Sequence, residues 1–275
     1  MKKNFLLLAL NKQNNFLLKL SSLAPTIFFD GMREDRDKLE SAYAMHPDVQ
    51  FIEFTYEPER NFYGKHSVNY WHNLGRLLGS AFLKEEIQYL LFLDVDEIVD
   101  AQEFTSWLKA FDFRKFDAFR LACYWYFRES CYQATSYEDT PLFIKRDRVT
   151  YEGLMHSMER AGTFFEVRGE KLRYAKSLRG DPMVHHYSWV RSKEQMLRKV
   201  LSWGHRDERN WTQLVELEFA HPFSGRDFVH GYDFLTVKPR FLMKEAKKSE
   251  KKMQKSQNVT YLSTRAIHQI DLENI

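Results

Sequence analysis

The chain has 275 residues, 44% hydrophobic and 29% charged, the balance of a folded globule and not of a disordered or fibrous chain. Its net charge of +3 is uneven: residues 238–255 hold eight Lys or Arg against Glu245 and Glu250, a local +6 that leaves the remainder at −3. That placement argues against a nucleic-acid-binding groove across the main body. Cys123 and Cys131 make no disulfide framework and no stretch has the length of a membrane span, so a cytoplasmic location is expected.

In chain order, residues 5–10 read as a strand and not as a signal peptide. The apolar run is short, and Asn11, Lys12 and Gln13 follow where small residues would mark a cleavage site. Residues 16–23 suggest a short helix, 26–29 a second strand closed by Asp30 and Gly31, 33–45 a charged surface helix, and 49–54 a third strand. Residues 68–82 carry Leu74, Leu77, Leu78 and Phe82 at helical spacing. The next strand is central: Tyr89 to Leu93 is an unbroken apolar run, of the kind buried on both faces, and it ends in Asp94, Asp96, Glu97 and Asp100. Clustered carboxylates repel one another and cannot be buried unpaired. A divalent cation relieves them, and ligands of open α/β sheets lie beyond the carboxyl ends of strands.

Asp100 also fits the N-cap of a helix over 104–111. Residues 118–127 read as an aromatic-rich strand, 128–163 as loop, and 182–189 as a late strand holding His185 and His186. Ser192 and Gln195 form the capping box of a helix that stops near Gly204. The alternation predicts an α/β domain over 1–236 with a mostly parallel, Rossmann-like sheet flanked by helices. A C-terminal tail over 237–275 follows; within it 238–255 fit a basic helix able to rest on anionic membrane lipid, or a solvated charged segment. No Gly-rich phosphate loop follows any strand, which disfavours dinucleotide-fold oxidoreductases and P-loop enzymes.

Taken together, these pieces resemble nucleotide-sugar glycosyltransferases of the GT-A fold, close to family 2. The resemblance covers about residues 4–205. It rests on the apolar strand running into Asp94-Val95-Asp96-Glu97, similar to that fold's DxD motif, on the upstream Asp30-Gly31, and on His185-His186-Tyr187 with Trp189 and Lys193 downstream. It implies transfer of a sugar from a nucleotide-diphosphate sugar to a saccharide or lipid-linked acceptor, dependent on Mn²⁺ or Mg²⁺. Asp96 would ligate the metal; Asp94 would join it or contact the donor's ribose. A C-terminal histidine would complete the shell, from the His185–His186 pair. Neighbours on a strand face opposite ways, and the His-then-aromatic order favours His186.

By the same resemblance Asn11, Lys12, Asp30, Asn73, Arg76 and Lys193 would join the donor-binding set, with Arg191 an added positive charge. Glu138, Asp139 and Asp181 are candidates for the catalytic base, and Glu152 another. Trp125, Tyr126, Trp189 and Trp203 are candidate sugar platforms. Two other readings stand beside this one. The strand also resembles the nucleophile strand of haloacid-dehalogenase-like phosphatases, although Ile98 stands where that fold takes Thr or Val and no Asp-Asp pair occurs. A catalytically inert sugar-binding protein would keep the same fold.

Overall fold

A computed structural model of the chain describes residues 4–11, 24–29, 50–54, 70–83, 87–94, 96–155, 160–167, 172–201, 205–241 and 259–262. In chain order its strands are β1 (Asn4–Asn11), β2 (Ala24–Phe29), β3 (Gln50–Phe54), β4 (Ile87–Asp94), β5 (Glu97–Val99), β6 (Ala118–Leu121), β7 (Cys123–Phe127), β8 (Glu129–Glu138), β9 (Leu142–Lys145), β10 (Leu172–Ala175), β11 (Val184–Trp189), β12 (Phe234–Thr236) and β13 (Val259–Leu262). The helices are α1 (Tyr70–Ala81), α2 (Ala101–Ala110), α3 (Tyr151–Leu154), α4 (Arg160–Glu166), α5 (Lys193–Val200) and α6 (Trp211–Phe219).

The strands form an eight-stranded sheet in the order β10-β6-β9-β4-β1-β2-β3-β13 and a five-stranded sheet in the order β12-β8-β7-β11-β5. Strand β4 explains the layering. Leu90 and Phe92 pack on one side with Leu74, Leu77 and Leu78 of α1 and Phe164 of α4. Tyr89, Leu91 and Leu93 pack on the other with Phe104, Trp107 and Leu108 of α2. The unbroken apolar run from Tyr89 to Leu93 is what a strand covered on both faces requires. Asp100 starts α2 as expected: its carboxylate accepts from the backbone N–H groups of Gln102 and Glu103.

The sheets are mixed, and the expectation of a mostly parallel sheet is corrected. In the larger sheet β2–β3, β3–β13 and β6–β10 are parallel, but β4 runs antiparallel to both its neighbours, β1 and β9. Burial on two faces dictates an apolar run whatever the direction of the neighbouring strands, so composition could not fix that direction. In the smaller sheet only β7–β11 is parallel.

The aromatic run over 118–127 is two strands, broken at Ala122. There the chain leaves the large sheet for the small one: the Ala122 N–H donates to the Ala175 carbonyl, and its own carbonyl accepts from Met183. The stretch 128–163, expected as loop, contains β8, β9, α3 and the start of α4. Strand β8 escaped notice because only Ala134 of its ten residues is buried, so no apolar alternation marks it.

The tail, expected as a basic helix or a solvated charged segment, is described only in part. Residues 238–241 are not helical, Arg240 is ion-paired with Asp100, and β13 lies at the edge of the large sheet, parallel to β3. Residues 242–258, and with them most of the segment expected to rest on lipid, lie outside the described residues, as do the helices expected over 16–23 and 33–45. No described helix is long and apolar enough to cross a membrane.

Candidate functional site

The acids at the end of β4 meet two arginines from the helices on one side of the sheet. Arg76 of α1, 1% exposed, donates from Nη2 to Asp94 Oδ1 at 2.8 Å. Arg160 of α4 donates to Glu97 through both Nη1 (2.6 Å) and Nη2 (2.9 Å), to the Phe92 carbonyl at 3.0 Å, and to Asp94 Oδ2 at 3.4 Å. The Glu97 side chain is wholly buried and also accepts from Thr140 Oγ1 (2.9 Å) and the Asp94 N–H (2.7 Å). Glu97 is therefore a structural tie between β5, α4 and the β8–β9 turn. The carboxylate repulsion that pointed to a divalent cation is relieved at Asp94 and Glu97 by guanidinium groups, and both Asp94 oxygens face arginine.

Asp96 is no more exposed than Asp94, 23% for each side chain, but its contacts are longer: it faces His186 Nε2 at 3.5 Å and Arg191 Nη2 at 3.8 Å. Its carbonyl accepts from the Tyr187 N–H at 2.8 Å, which ties this turn to β11. Burial pushes the Asp96 carboxyl up, but the hydrogen bond and charge of His186, helped by Lys199, outweigh it and hold the group down at about 2. Burial likewise works against charge on His186; Asp96, with Cys123 and Glu97 acting the same way, raises the imidazole well above its usual value.

The five-stranded sheet carries the rest. Registers Glu97↔His186, His186↔Trp125 and Cys123↔Glu138 put these side chains on one face. Trp125 meets the His186 ring edge-on at 4.8 Å and the His230 ring at 4.6 Å. Glu138 Oε1 lies 3.3 Å from Tyr232 Oη and 3.3 Å from His230 Nδ1. Burial raises the Glu138 carboxyl above its ordinary value against the pull of His186 and His230. The loop supplying His230 and Tyr232 is set by Asp227, 3% exposed, whose carboxylate accepts from the N–H groups of Val229, His230, Gly231 and Tyr232. Gly231 makes the turn at φ 73°.

His185 lies on the opposite face and does not join Asp96. It packs among Tyr124, Tyr126, Tyr187 and Phe241, with Nδ1 2.7 Å from Tyr126 Oη. Burial, helped by Arg240, lowers it to about 4. Between pH 6.5 and about 4 the unfolded chain takes up a proton that the folded chain refuses, so stability should fall as pH drops through this window. His185→Phe should flatten that limb in urea denaturation at pH 7, 5.5 and 4.5. Equal slopes for the two proteins would show that His185 does not cause it.

The remaining candidates are scattered. Asn73 is buried and its Oδ1 accepts from Arg76 at 3.3 Å, so it backs the Arg76–Asp94 contact. Lys193 is paired with Glu216, joining α5 to α6. Asp139 holds Arg120 at 3.1 Å, Asp181 is exposed near Arg179, and Glu152 is exposed on α3, so none of the three is tied to the Asp94–Asp96 turn. Asp139 instead borders a cleft of about 610 Å³ lined by Trp107, Tyr137, Arg173 and Tyr174. Trp125, Tyr126 and Trp189 are buried core residues and not open platforms. Asn11 ends β1; Lys12, Asp30 and Trp203 lie outside the described residues. Arg160, Cys123, Thr140, His230 and Tyr232 went unmarked in the sequence, being single polar residues without a motif. Compared with known proteins, the chain matches no protein-family model, no curated protein and no solved structure.

Proposed function

We propose that the chain is a glycosyltransferase that moves a sugar from a nucleotide-diphosphate sugar to a saccharide acceptor with the help of Mn²⁺ or Mg²⁺. The observation that carries this reading is the partly exposed Asp96 at the end of the central strand, ringed by His186 and Arg191. Asp96 is the carboxylate of this turn not bonded to a buried arginine, and it would hold a hard divalent cation with His186 beside it once the imidazole gives up its proton, whereas Asp94 is committed to Arg76 and Arg160 and His185 faces away. A bound ion supplies positive charge against the negative charge that develops on the leaving diphosphate.

The chain's own residues supply the rest. Arg191 adds a fixed cation at the same carboxylate, positioned by the bond from its Nε to the Ser188 carbonyl at 2.7 Å. Arg76 and Arg160 hold the Asp94 and Glu97 side chains in place beneath the site. Glu138 is the candidate base for the acceptor hydroxyl. Its raised pKa improves it as a proton acceptor near neutrality, and Tyr232 and His230 orient it. A phosphatase reading would need Asp94 as a free nucleophile, and the two guanidinium groups on its oxygens oppose that.

The test is a thermal-shift screen of UDP, GDP, CMP and dTDP species with and without Mn²⁺. At least one should raise the melting temperature only with the metal, and the matching nucleotide sugar should then be hydrolysed or transferred. No metal-dependent shift with any of them would refute the proposal.

A further inference from the structure

We infer a zinc site beside the proposed transfer site, formed by Cys123, Glu138 and His186. One candidate ligand atom from each of the three lies within 4.8 Å of the others. The strand register accounts for this meeting. Cys123 on β7 stands opposite Glu138 on β8, and β11, bonded to the other edge of β7, brings His186 to the same face. Cys123 is fully buried and His186 is 8% exposed.

The imidazole provides the second observation. Its Nε2 faces Asp96 Oδ1 at 3.5 Å, while its Nδ1 is buried with no hydrogen-bond partner. A buried polar nitrogen left this way costs free energy, and a metal that replaces its proton recovers it. Carboxylate on one ring nitrogen and metal on the other is how protein histidines usually meet zinc, the carboxylate fixing tautomer and ring orientation. Asp96 has that relation to His186.

The chemistry of the set selects the metal. Thiolate, imidazole and carboxylate together suit Zn²⁺, held by three protein ligands with a fourth position open, whereas Mg²⁺ takes oxygen. Bonds of about 2.0–2.3 Å draw the three atoms inward, and the thiol proton and the Nδ1 proton of the His186 imidazolium leave to solvent as the metal binds. Supporting contacts are present for both outer ligands. Thr140 Oγ1 lies 3.4 Å from Cys123 Sγ, and Tyr232 Oη and His230 Nδ1 lie 3.3 Å from Glu138 Oε1. Zinc here takes up Glu138 and His186, two groups the transfer would use, so bound zinc should silence transfer. That consequence rests on the transferase reading; the zinc site does not.

The full chain, stripped with a chelator, is titrated with Zn²⁺ against a chromophoric zinc indicator, and separately with Co²⁺ under ultraviolet spectroscopy. One equivalent of Zn²⁺ per chain and a sulfur-to-cobalt charge-transfer band are expected. Cys123→Ser and Glu138→Gln should each weaken zinc binding at least tenfold, and Cys131→Ser should keep both signals. The cobalt band needs no variant, so the wild-type result decides even if Cys123→Ser fails to fold. Absence of stoichiometric zinc, absence of the band, its loss in Cys131→Ser, or wild-type affinity in Cys123→Ser would each overturn the site. Nucleotide binding with Mn²⁺ in the same preparation is a separate measurement, and its failure would count against the transferase reading alone.

Discussion

Arg160→Ala should destabilise the protein by about 3–5 kcal/mol, the usual cost of removing one partner from a buried ion pair. The reason lies in Glu97. Its side chain has no exposure, and Arg160 binds both its oxygens, at 2.6 and 2.9 Å. Without the guanidinium, Thr140 and one backbone N–H remain to satisfy a buried carboxylate. The Phe92 carbonyl loses its bond from Arg160 at the same moment. A companion variant separates pairing from packing: Glu97→Leu combined with Arg160→Met removes both charges and fills similar volume. Urea denaturation should show the double variant recovering much of the loss, because an apolar pair of the same shape does without the desolvation of two ions. Losses in Arg160→Met and Glu97→Leu that simply add in the double variant would mean the two groups are not coupled.

This ion pair also shows why part of the site was legible in the sequence and part was not. The apolar run of β4 announced a strand covered on two faces, since every residue must find a partner layer, and α1 and α2 supply those layers. Its direction relative to β1 and β9 depends on connections elsewhere in the chain, which no local pattern encodes. The abrupt change to Asp94, Asp96 and Glu97 marked a polar site at the strand end. What neutralises those acids stayed hidden, because Arg160 lies 66 residues beyond Asp94 in a stretch with no apolar period. Strand alternation did predict that His185 and His186 face opposite ways, and one faces Asp96 while the other faces Tyr126; the preference for His186 came from the resemblance. Cys123 gave no signal, since a thiol inside an aromatic strand looks like one more small core residue.

The two aspartates of the motif look equivalent in the sequence, and their surroundings predict opposite mutant behaviour. Asp94→Asn weakens contacts to two buried arginines, Arg76 at 2.8 Å and Arg160 at 3.4 Å. Hydrogen bonds to charged groups of this kind are worth about 1.5–3 kcal/mol, so the variant should melt well below the wild type. Its Mn²⁺-dependent response to nucleotide should weaken but persist, because Asp96 is untouched. Asp96→Asn alters a side chain of the same exposure, 23%, whose contacts to His186 and Arg191 are longer, 3.5 and 3.8 Å. Its loss of stability at pH 7 should be the smaller of the two, and its nucleotide response should no longer depend on Mn²⁺. It should also let the His186 imidazole give up its proton at lower pH than in the wild type, because the hydrogen bond and charge of Asp96 favour the protonated ring. Melting curves of both variants with and without Mn²⁺ and nucleotide, together with an NMR titration of the His186 ring, read all of this. An Asp96→Asn protein that keeps the full Mn²⁺ response would remove Asp96 from the metal site. An Asp94→Asn protein of wild-type stability that loses the response would exchange the two roles.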